Sequence, residues 1–338
     1  MISRRSFLTA LATSTTTLSI SQAAHSLVGG STQALSSQGL TSIRSGHLGS
    51  LVTEHVSFSL KELPLAFDGY KIGFLSDLHL GIWMPEDFLV ASLEVVKNAR
   101  CDILVLGGDF IGVPENPWWE KSGFVWNEGF AGLSKDQVIP KIFSRMHEIL
   151  GHFNFPDGII SVPGNHEHWN STRAFLDVFR RSPVCRLLIN EWISIERSGA
   201  TLDFFGADDF LTGIPRLPTP PELDMKARSI PRQAGQPDQE PSRCNVLVSH
   251  NPDLVSFGLN RDGESFPFSL SVSGHTHGGQ VRVPGLGALT YQVFDRRFGE
   301  GRVELFGKHT YTSRGVGVVS VPFRLDCPPE VTIITLKR

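Results

Sequence analysis

Residues 72–79 read Ile-Gly-Phe-Leu-Ser-Asp-Leu-His, an apolar run that ends in an aspartate and a histidine. The run is short and follows a turn signal, Asp68-Gly69, so it predicts a buried strand. Because alternate residues of an extended chain project to the same side, Asp77 and His79 face one point in space. The stretch therefore predicts a buried strand whose end presents a carboxylate and an imidazole together.

The same arrangement, polar side chains directly after a short apolar run, recurs along the chain. The further stretches are Gly107-Gly108-Asp109, Gly164-Asn165-His166-Glu167, Ser249-His250-Asn251-Pro252 and Gly274-His275-Thr276-His277-Gly278-Gly279-Gln280. A single stretch of this kind is usually turn chemistry or a satisfied polar residue at a strand end. In an α/β sheet, however, the strand ends are where functional sites assemble. The five stretches together predict one site.

The candidate ligands are oxygen and imidazole donors, without thiolates: Asp77, His79, Asp109, Asn165, His250, His275 and His277. Two carboxylates, one amide and four imidazoles suit Mn, Fe or Zn. Ca is unsuitable and Mg is less suitable. Seven ligands are too many for one ion, so we expect two divalent metal ions. Their excess positive charge would attract a phosphate group and would lower the pKa of a bridging water.

The rest of the chain alternates strands and helices in its first half and is mainly strands afterwards. Apolar residues at helical spacing predict helices over 85–99, 135–153 and 171–181. The predicted strands lie around 56–60, 72–76, 103–106, 158–162, 202–206, 245–249, 269–273, 303–311 and 331–336. This order predicts an α/β fold in which two mixed β-sheets pack as a sandwich flanked by α-helices.

Residues 1–24 are predicted to be a twin-arginine signal peptide. Arg4-Arg5 is followed by Ser6-Phe7-Leu8, a mildly apolar stretch and small residues that suit cleavage. The competing interpretation is an accidental arginine pair at a frayed terminus. Residues 25–51, rich in Ser and Gly, are predicted to be a flexible linker, and 52–338 the folded domain. We expect export by the twin-arginine translocase to the periplasm or the outer face of the cytoplasmic membrane.

Composition narrows the function classes. The 338 residues are 40% hydrophobic and 19% charged, which excludes a wholly disordered, collagen-like or multi-span membrane chain. The net charge of −3 offers no broad basic surface, so we expect no nucleic-acid partner. The four cysteines are far apart and form no CxxC pair. Their spacing argues against a structural zinc knuckle or a thioredoxin-type redox site.

The order of the motifs DLH, GGD, GNHE, SHNP and GHTHGGQ resembles the calcineurin-like metallophosphoesterase superfamily. The GHTHGGQ form is similar to one branch, together with the later stretches Tyr311–Gly315 and Cys327–Glu330. That branch includes exported phosphodiesterases and UDP-2,3-diacylglucosamine pyrophosphatases. The resemblance covers roughly residues 52–338 and implies the four-layer fold of the superfamily.

The resemblance also implies a role for each site residue. Asp77, His79 and His277 would hold one metal; Asn165, His250 and His275 would hold the other; Asp109 would bridge both, together with a hydroxide. His166 would not be a ligand but would assist the leaving group, with Glu167 orienting it. The implied reaction is hydrolysis of a phosphodiester or pyrophosphate by attack of the bridging hydroxide. Many members carry a charged residue shortly after the GD motif, whereas Phe110-Ile111-Gly112 follow it here.

Several alternatives remain open from the sequence. A lipid-linked substrate at the membrane, as for a UDP-2,3-diacylglucosamine pyrophosphatase, competes with a small-molecule substrate. A hydrolase of amides or carboxylic esters and a non-catalytic metal-binding envelope protein are the other classes. The aromatic segment 113–134 is either an apolar lip, with possible peripheral membrane contact, or a small satellite core. Arg314 either contacts the substrate phosphate or braces the C-terminal turns, and His168 is a loop neighbour of His166 rather than a further ligand.

Overall fold

The structure is a computed structural model that describes residues 44–45, 48–81, 83–112, 134–218, 242–288 and 290–338. The strands are β1 Arg44–Ser45, β2 Gly49–Ser50, β3 Val52–Ser59, β4 Lys71–Leu75, β5 Leu80–Gly81, β6 Ile103–Leu106, β7 Ile111–Gly112, β8 Ile159–Ser161, β9 Arg186–Leu187, β10 Glu191–Arg197, β11 Ala200–Gly206, β12 Arg243–Val248, β13 Leu270–Ser273, β14 Arg282–Val283, β15 Gly287–Ala288, β16 Gly301–Leu305, β17 Lys308–Thr312 and β18 Glu330–Lys337. The helices are α1 Glu86–Asn98, α2 Lys135–Leu150, α3 Asn165–Phe179 and α4 Asp253–Asp262.

Two large sheets organise these elements. The first has the strand order β3-β18-β4-β6-β8-β9, and the second has the order β10-β11-β12-β13-β17-β16. Strands β4, β6, β8 and β9 pair in parallel, as do β11, β12, β13 and β17. Each sheet also contains an antiparallel pairing, β18 with β4 in the first and β16 with β17 in the second. Both sheets are therefore mixed, as the sequence predicts.

The sheets face each other across an apolar core. Alternation along β6 shows how one strand serves two layers: Val105 packs between the sheets, whereas Leu104 and Leu106 point to the opposite side. The second sheet contributes Phe204 and Val246 to the same inter-sheet cluster. A strand that is buried on both faces reads as a continuous apolar run, which explains the sequence of β6.

Helices cover the outer face of each sheet. Helices α1, α2 and α3 bury their apolar faces in the cluster that contains Leu104 and Leu106. On the second sheet, Leu254 and Leu259 of α4 pack with Phe205 and other apolar residues. The layers therefore run helix, sheet, sheet, helix, which confirms the predicted α/β sandwich. None of the helices among the described residues is both long enough and apolar enough to cross a bilayer.

Three elements differ from the prediction. Helix α3 begins at Asn165 rather than near residue 171, because non-helical dihedrals at Ser171 divide it into two segments and only the second was predicted. The predicted strand 303–311 is a hairpin, β16 and β17, that turns at Phe306. Helix α4 was not predicted, since its short apolar pattern follows a site motif and a proline.

Some predicted regions cannot be compared with the structure. The signal peptide 1–24 lies outside the described residues, as do residues 113–133 of the aromatic segment and 219–241 of a Pro-rich insertion. At the end of the predicted linker, β1 and β2 pair antiparallel and Leu48 is fully buried. Ordered structure therefore begins a few residues before the predicted domain boundary at residue 52. The linker assignment of the earlier residues stays a prediction.

Candidate metal centre

The predicted ligands lie at the carboxyl ends of parallel strands from both sheets. Strand β4 is followed by Asp77 and His79, β6 by Asp109, β8 by Asn165, β12 by His250, and β13 by His275 and His277. All seven side chains are buried. Since the two sheets face each other, the ends of their parallel strands bring residues almost 200 positions apart into one cluster.

One group within this cluster consists of Asp77, His79 and His277. Their candidate ligand atoms all lie within 4.8 Å of one another. The two Nε2 atoms of His79 and His277 are 3.0 Å apart, and His277 Nε2 lies 3.4 Å from Asp77 Oδ1. The hydroxyl of Ser76 donates to Asp77 Oδ2 at 2.6 Å, which fixes the carboxylate in place.

A second group consists of Asp109, His250 and His275, with Asn165 beside it. Nε2 of His250 lies 3.2 Å from Asp109 Oδ2 and 3.2 Å from Asn165 Oδ1. Nδ1 of His275 lies 3.3 Å from the same Nε2. Asp109 Oδ2 is also 3.6 Å from Nε2 of His79, so this oxygen lies between the two groups.

The ring orientations of two histidines suit metal binding. Nδ1–H of His79 donates to the Ile111 carbonyl at 3.2 Å, and Nδ1–H of His250 donates to the Gly107 carbonyl at 2.7 Å. A carbonyl oxygen can only accept, so the hydrogen-bonding pattern assigns the proton of each ring to Nδ1. Nε2 of each ring is then directed toward carboxylate and imidazole acceptors. For His79 this leaves an unprotonated Nε2, which is the form of the ring that can bind a metal ion.

Burial sets the charge state of three rings. Burial lowers the pKa of His79 and of His275 to about 3, and it lowers the pKa of His277 well below the ordinary value. Neutral imidazole is the form that binds metals. These three rings are therefore held in the ligand form.

The pKa values of His250 and Asp109 show the effect of their close contact. Burial opposes protonation of His250, but the Asp109 carboxylate raises the pKa of His250 to about 10. Burial would raise the pKa of Asp109, but His250 and His166 hold it well below its usual range. Burial also raises the pKa of Asp77 to about 6. A metal bound through Nε2 of His250 would have to displace the proton from that atom.

The backbone around the site is strained. Positive φ angles between 44° and 71° occur at five of the predicted ligands: Asp77, His79, Asp109, His275 and His277. Residues other than glycine rarely adopt this region, because the conformation costs roughly 1–3 kcal/mol per residue. Such residues cluster at functional sites. Gly108, at φ +91°, allows the close approach, since a Cβ there would lie 2.8 Å from His250 Nδ1.

Glu167 accepts hydrogen bonds from the backbone, and its predicted role of orienting His166 stays a prediction. The resemblance implies that it orients His166, but both of its carboxylate oxygens accept backbone N–H groups. The donors are Gly164 at 2.7 Å, Asp109 at 2.9 Å and Phe110 at 2.8 Å. A glutamate three residues after the N-cap commonly accepts from the N-cap backbone. Here the same side chain also joins the GGD and GNHE turns, so Glu167 organises the loops that hold Asp109.

His166 lies beside the metal groups. Its backbone N–H donates to Asp109 Oδ1 at 2.9 Å, and its ring centroid is 4.6 Å from that of His79. Ligand atoms of His79, Asp109 and His166 lie within 4.8 Å of one another. The buried Nδ1 of His166 has no hydrogen-bond partner among the described residues. The placement agrees with a group that faces the reacting phosphate, and its role stays a prediction.

Sequence reasoning missed one supporting residue, Arg324. This buried guanidinium donates to the carbonyls of Gly315 and Gly317 and, at 3.3 Å, to the carbonyl of His277. It therefore ties the C-terminal turns to the GHTHGGQ loop. No pattern in the sequence indicates this contact, because the arginine lies 47 residues after His277.

The partners of Arg314 support the bracing interpretation, and its contact with the substrate phosphate stays a prediction. Its guanidinium lies 2.6 Å from Glu54 Oε1 and 3.1 Å from Glu330 Oε2. Glu54 belongs to β3 and Glu330 begins β18, which are neighbouring strands of the first sheet. Arg314 therefore braces the C-terminal turns against this sheet.

Comparisons with known proteins agree with the geometry. A family model described as calcineurin-like phosphoesterase matches residues 70–279, well over half of the chain. The chain therefore belongs to this family, and it is a metal-dependent phosphoesterase. Family membership favours phosphoester hydrolysis over an amide or carboxylic-ester hydrolase and over a non-catalytic protein.

Individual relatives span most of the domain. The metallophosphoesterase YkuE of Bacillus subtilis (strain 168) is 25% identical over 84% of this chain and 85% of its own length. The phosphodiesterase YaeI of Escherichia coli (strain K12) is 27% identical over 79% of this chain and 82% of its own length. Among solved structures, the NAD nucleotidase NadN of Haemophilus influenzae matches with a TM-score of 0.43 and 12% identity, over 72% of this chain and 44% of that chain.

Proposed function

We propose that the protein is an exported phosphodiesterase or pyrophosphatase that uses two divalent metal ions. One observation carries the proposal: Nε2 of His79 and Nε2 of His250 lie 3.6 Å and 3.2 Å from the same oxygen, Asp109 Oδ2. An oxygen placed in this way between two groups of ligands is suited to bridging two cations. Mn, Fe or Zn suits these donors better than Mg.

The residues that would hold the ions divide as the ligand groups do. Asp77, His79 and His277 would bind one ion, Asn165, His250 and His275 the other, and Asp109 both. When bound, such ions polarise a phosphoester and lower the pKa of a water between them.

Two further residues complete the chemistry on the protein side. His166 would donate a proton to the leaving oxygen, a step that an alcohol leaving group needs at neutral pH. Its position is fixed through its own backbone, because its N–H donates to Asp109 Oδ1 at 2.9 Å. Glu167 holds the Asp109 turn through the backbone N–H groups of Asp109 and Phe110. Any shift of the ligand Asp109 would therefore shift the proton donor with it.

The relative from Escherichia coli supports a diester substrate, because its name describes a phosphodiesterase. A small-molecule diester or pyrophosphate is the first candidate. A lipid-linked substrate at the membrane, as for a UDP-2,3-diacylglucosamine pyrophosphatase, is the second, favoured by the aromatic composition of segment 113–134. The proposed twin-arginine export would weaken the second candidate, since nucleotide-linked lipid precursors are made on the cytoplasmic side.

The test is hydrolysis of bis(p-nitrophenyl) phosphate and p-nitrophenyl phosphate by chelator-treated protein, with Mn, Zn, Fe, Co or Mg restored one at a time. We expect metal-dependent cleavage that is faster with the diester. His166→Ala should keep both metals but lower kcat, by roughly 10²- to 10⁴-fold for an alkoxide leaving group and by less for p-nitrophenolate, which leaves without a proton at neutral pH. Loss of metal in His166→Ala would show that this residue is a ligand. Absence of cleavage with two metals bound per chain would contradict the proposed activity on simple diesters.

Export is tested separately. Fusion of residues 1–51 to a reporter that is active only after folded export should give a periplasmic signal. Replacing Arg4 and Arg5 together by lysine should abolish that signal, because the pair is the recognition element of the proposed signal. A signal unchanged by the double substitution would contradict twin-arginine export without affecting the phosphodiesterase proposal.

A further inference from the structure

Trp169 is a large aromatic side chain that stands exposed beside the metal centre. Half of its surface is accessible to solvent, at 50%. Its ring meets the His166 ring edge to face, with centroids 5.2 Å apart. His166 in turn lies 4.6 Å from His79, so Trp169 is separated from the ligand cluster by one imidazole.

Helix geometry places Trp169 on the side of the site. It follows Asn165 by four residues and His166 by three, and residues at these spacings lie next to each other on one helix face. Asn165 is buried at the ligand cluster, with its Oδ1 3.2 Å from His250 Nε2. Trp169 therefore lies on the same helix face as Asn165, farther from the ligand cluster. It is on the side of His166, the proposed proton donor.

The helical segment that carries Trp169 is held in place by its neighbours. His168 Nε2 lies 3.0 Å from Asp208 Oδ1, which joins the segment to the loop after β11. The side chain of Asn170 donates to the carbonyl of His166 at 2.8 Å. The segment ends at Ser171, whose hydroxyl accepts the N–H of Ala174 at 3.1 Å and begins the second segment. The indole is thus presented by a fixed backbone.

We infer that Trp169 is a stacking platform for a flat aromatic group, an aryl ring or a nucleobase, on the leaving side of the substrate. The inference rests on the proposed function, because His166 defines that side. A phosphate held at the ligand cluster would bring its leaving group past His166 and onto the indole. Stacking on an exposed indole removes apolar surface of both rings from water, whereas a small alkyl group would leave that surface exposed.

The alternative for Trp169 is that it only braces the His166 ring. Bracing would affect every phosphate ligand equally, whereas stacking discriminates between ligands with and without an aromatic ring. A binding comparison therefore separates the two roles, and it requires no turnover.

The test measures binding of phenylphosphonate and methylphosphonate to the metal-loaded protein by calorimetry. The wild type should prefer phenylphosphonate by roughly tenfold, a value within the range for stacking of one aromatic group. Trp169→Ala should reduce this ratio to about twofold or less, and Trp169→Phe should retain part of it. With bis(p-nitrophenyl) phosphate, Trp169→Ala should raise KM more than it lowers kcat.

Phe306 provides a matched control. It is 49% exposed, against 50% for Trp169, and it lies at the turn before β17. His275 follows the carboxyl end of β13. Because β17 runs parallel to β13, the turn before β17 lies at the opposite end of these strands from His275. Phe306→Ala should keep the wild-type ratio.

Three results would overturn the inference: no aromatic preference in the wild type, an unchanged ratio in Trp169→Ala, or equal weakening of both phosphonates by that variant. Absence of diester cleavage by the wild type would instead contradict the proposed function, since the binding ratio is measured without it.

Discussion

The charged side chains at the two ends of the parallel strands have different kinds of partner. At the amino ends, Arg197 from the second sheet donates to Asp102 at 3.0 Å and to Asp157 at 2.8 Å, both from the first sheet. Tyr70 also donates to Asp157 at 2.8 Å, and the Arg197 guanidinium lies 4.8 Å from the Tyr70 ring centroid. Each carboxylate here has a cationic or hydroxyl partner within the chain.

At the carboxyl ends, carboxylates and imidazoles lie close to one another. His79 and His277 direct Nε2 atoms at each other across 3.0 Å, and Asp109 Oδ2 faces two rings. The backbone there adopts left-handed conformations at five ligand positions. The same strands therefore carry ion pairs at one end and a cluster of potential metal ligands at the other. A buried cluster of potential ligands that a fold retains at one end marks the end that binds something.

The largest expected difference between the two ends concerns Asp109. Asp109→Asn removes the only charge shared by both ligand groups, so we expect both metals to be lost. The rate constant kcat/KM should fall by roughly 10³-fold or more, since metal stabilisation of the transition state amounts to several kcal/mol. Asp102→Asn, the matched change at the amino ends, should leave metal content and activity intact. Metal analysis and diester hydrolysis measure both; two metals retained in Asp109→Asn would contradict the bridging role.

The next largest effect is expected for Glu167→Gln, at the carboxyl ends of the strands. An amide can accept at one oxygen only, so one or two of the buried N–H groups of Gly164, Asp109 and Phe110 would lose their acceptor. The free energy of unfolding should fall by about 1–3 kcal/mol. Metal affinity should fall about 10- to 100-fold, because the Asp109 turn is no longer fixed. Denaturant unfolding and metal titration check these values. A loss of kcat with unchanged metal affinity would instead support the predicted contact with His166.

Arg197→Met tests the ion pairs of Arg197 with Asp102 and Asp157 at the amino ends. The arginine and both carboxylates are partly exposed, so we expect a loss of about 1 kcal/mol in the free energy of unfolding. Metal content and kcat should not change, because these ion pairs lie at the opposite end of the strands from the predicted ligands. Urea unfolding and hydrolysis measure the two effects. A large loss of activity would show that the two ends are coupled.

The smallest expected effect depends on pH and concerns His168. The hydrogen bond to Asp208 raises the pKa of His168 above its ordinary value. Stabilisation from this contact is therefore complete below the unfolded pKa, about 6.5, and is lost as pH rises through the higher folded pKa. His168→Gln should lower the free energy of unfolding by about 0.5–1 kcal/mol at pH 5.5 and by less at pH 8.5.

Asp208→Asn supplies the control for this pH effect. With a neutral partner at residue 208, replacing His168 should change stability equally at both pH values. A loss from His168→Gln that is larger at pH 8.5 than at pH 5.5 would contradict the ion pair.

Periodicity and motif order in the sequence predict most of the architecture. Short apolar runs such as Ile103–Leu106 are strongly patterned, because burial on both faces leaves no position for a polar side chain. The boundaries of local elements were less predictable. The start of α3 at Asn165 was missed since motif residues occupy its first turn, and the hairpin turn at Phe306 was missed because it interrupts a strand-like pattern.

The sequence by itself determined the class of fold, the family and the set of donor side chains, because each of these is written in local spacing. Only the tertiary structure decided how those donors meet. The position of Asp109 Oδ2 between His79 and His250, the left-handed backbone at the ligands and the backbone contacts of Glu167 depend on two sheets placing distant strand ends together. The pairing of Arg314 with Glu54, 260 residues away, likewise depends on the fold. Such contacts arise from packing between layers, and a pattern of neighbouring residues carries no record of them.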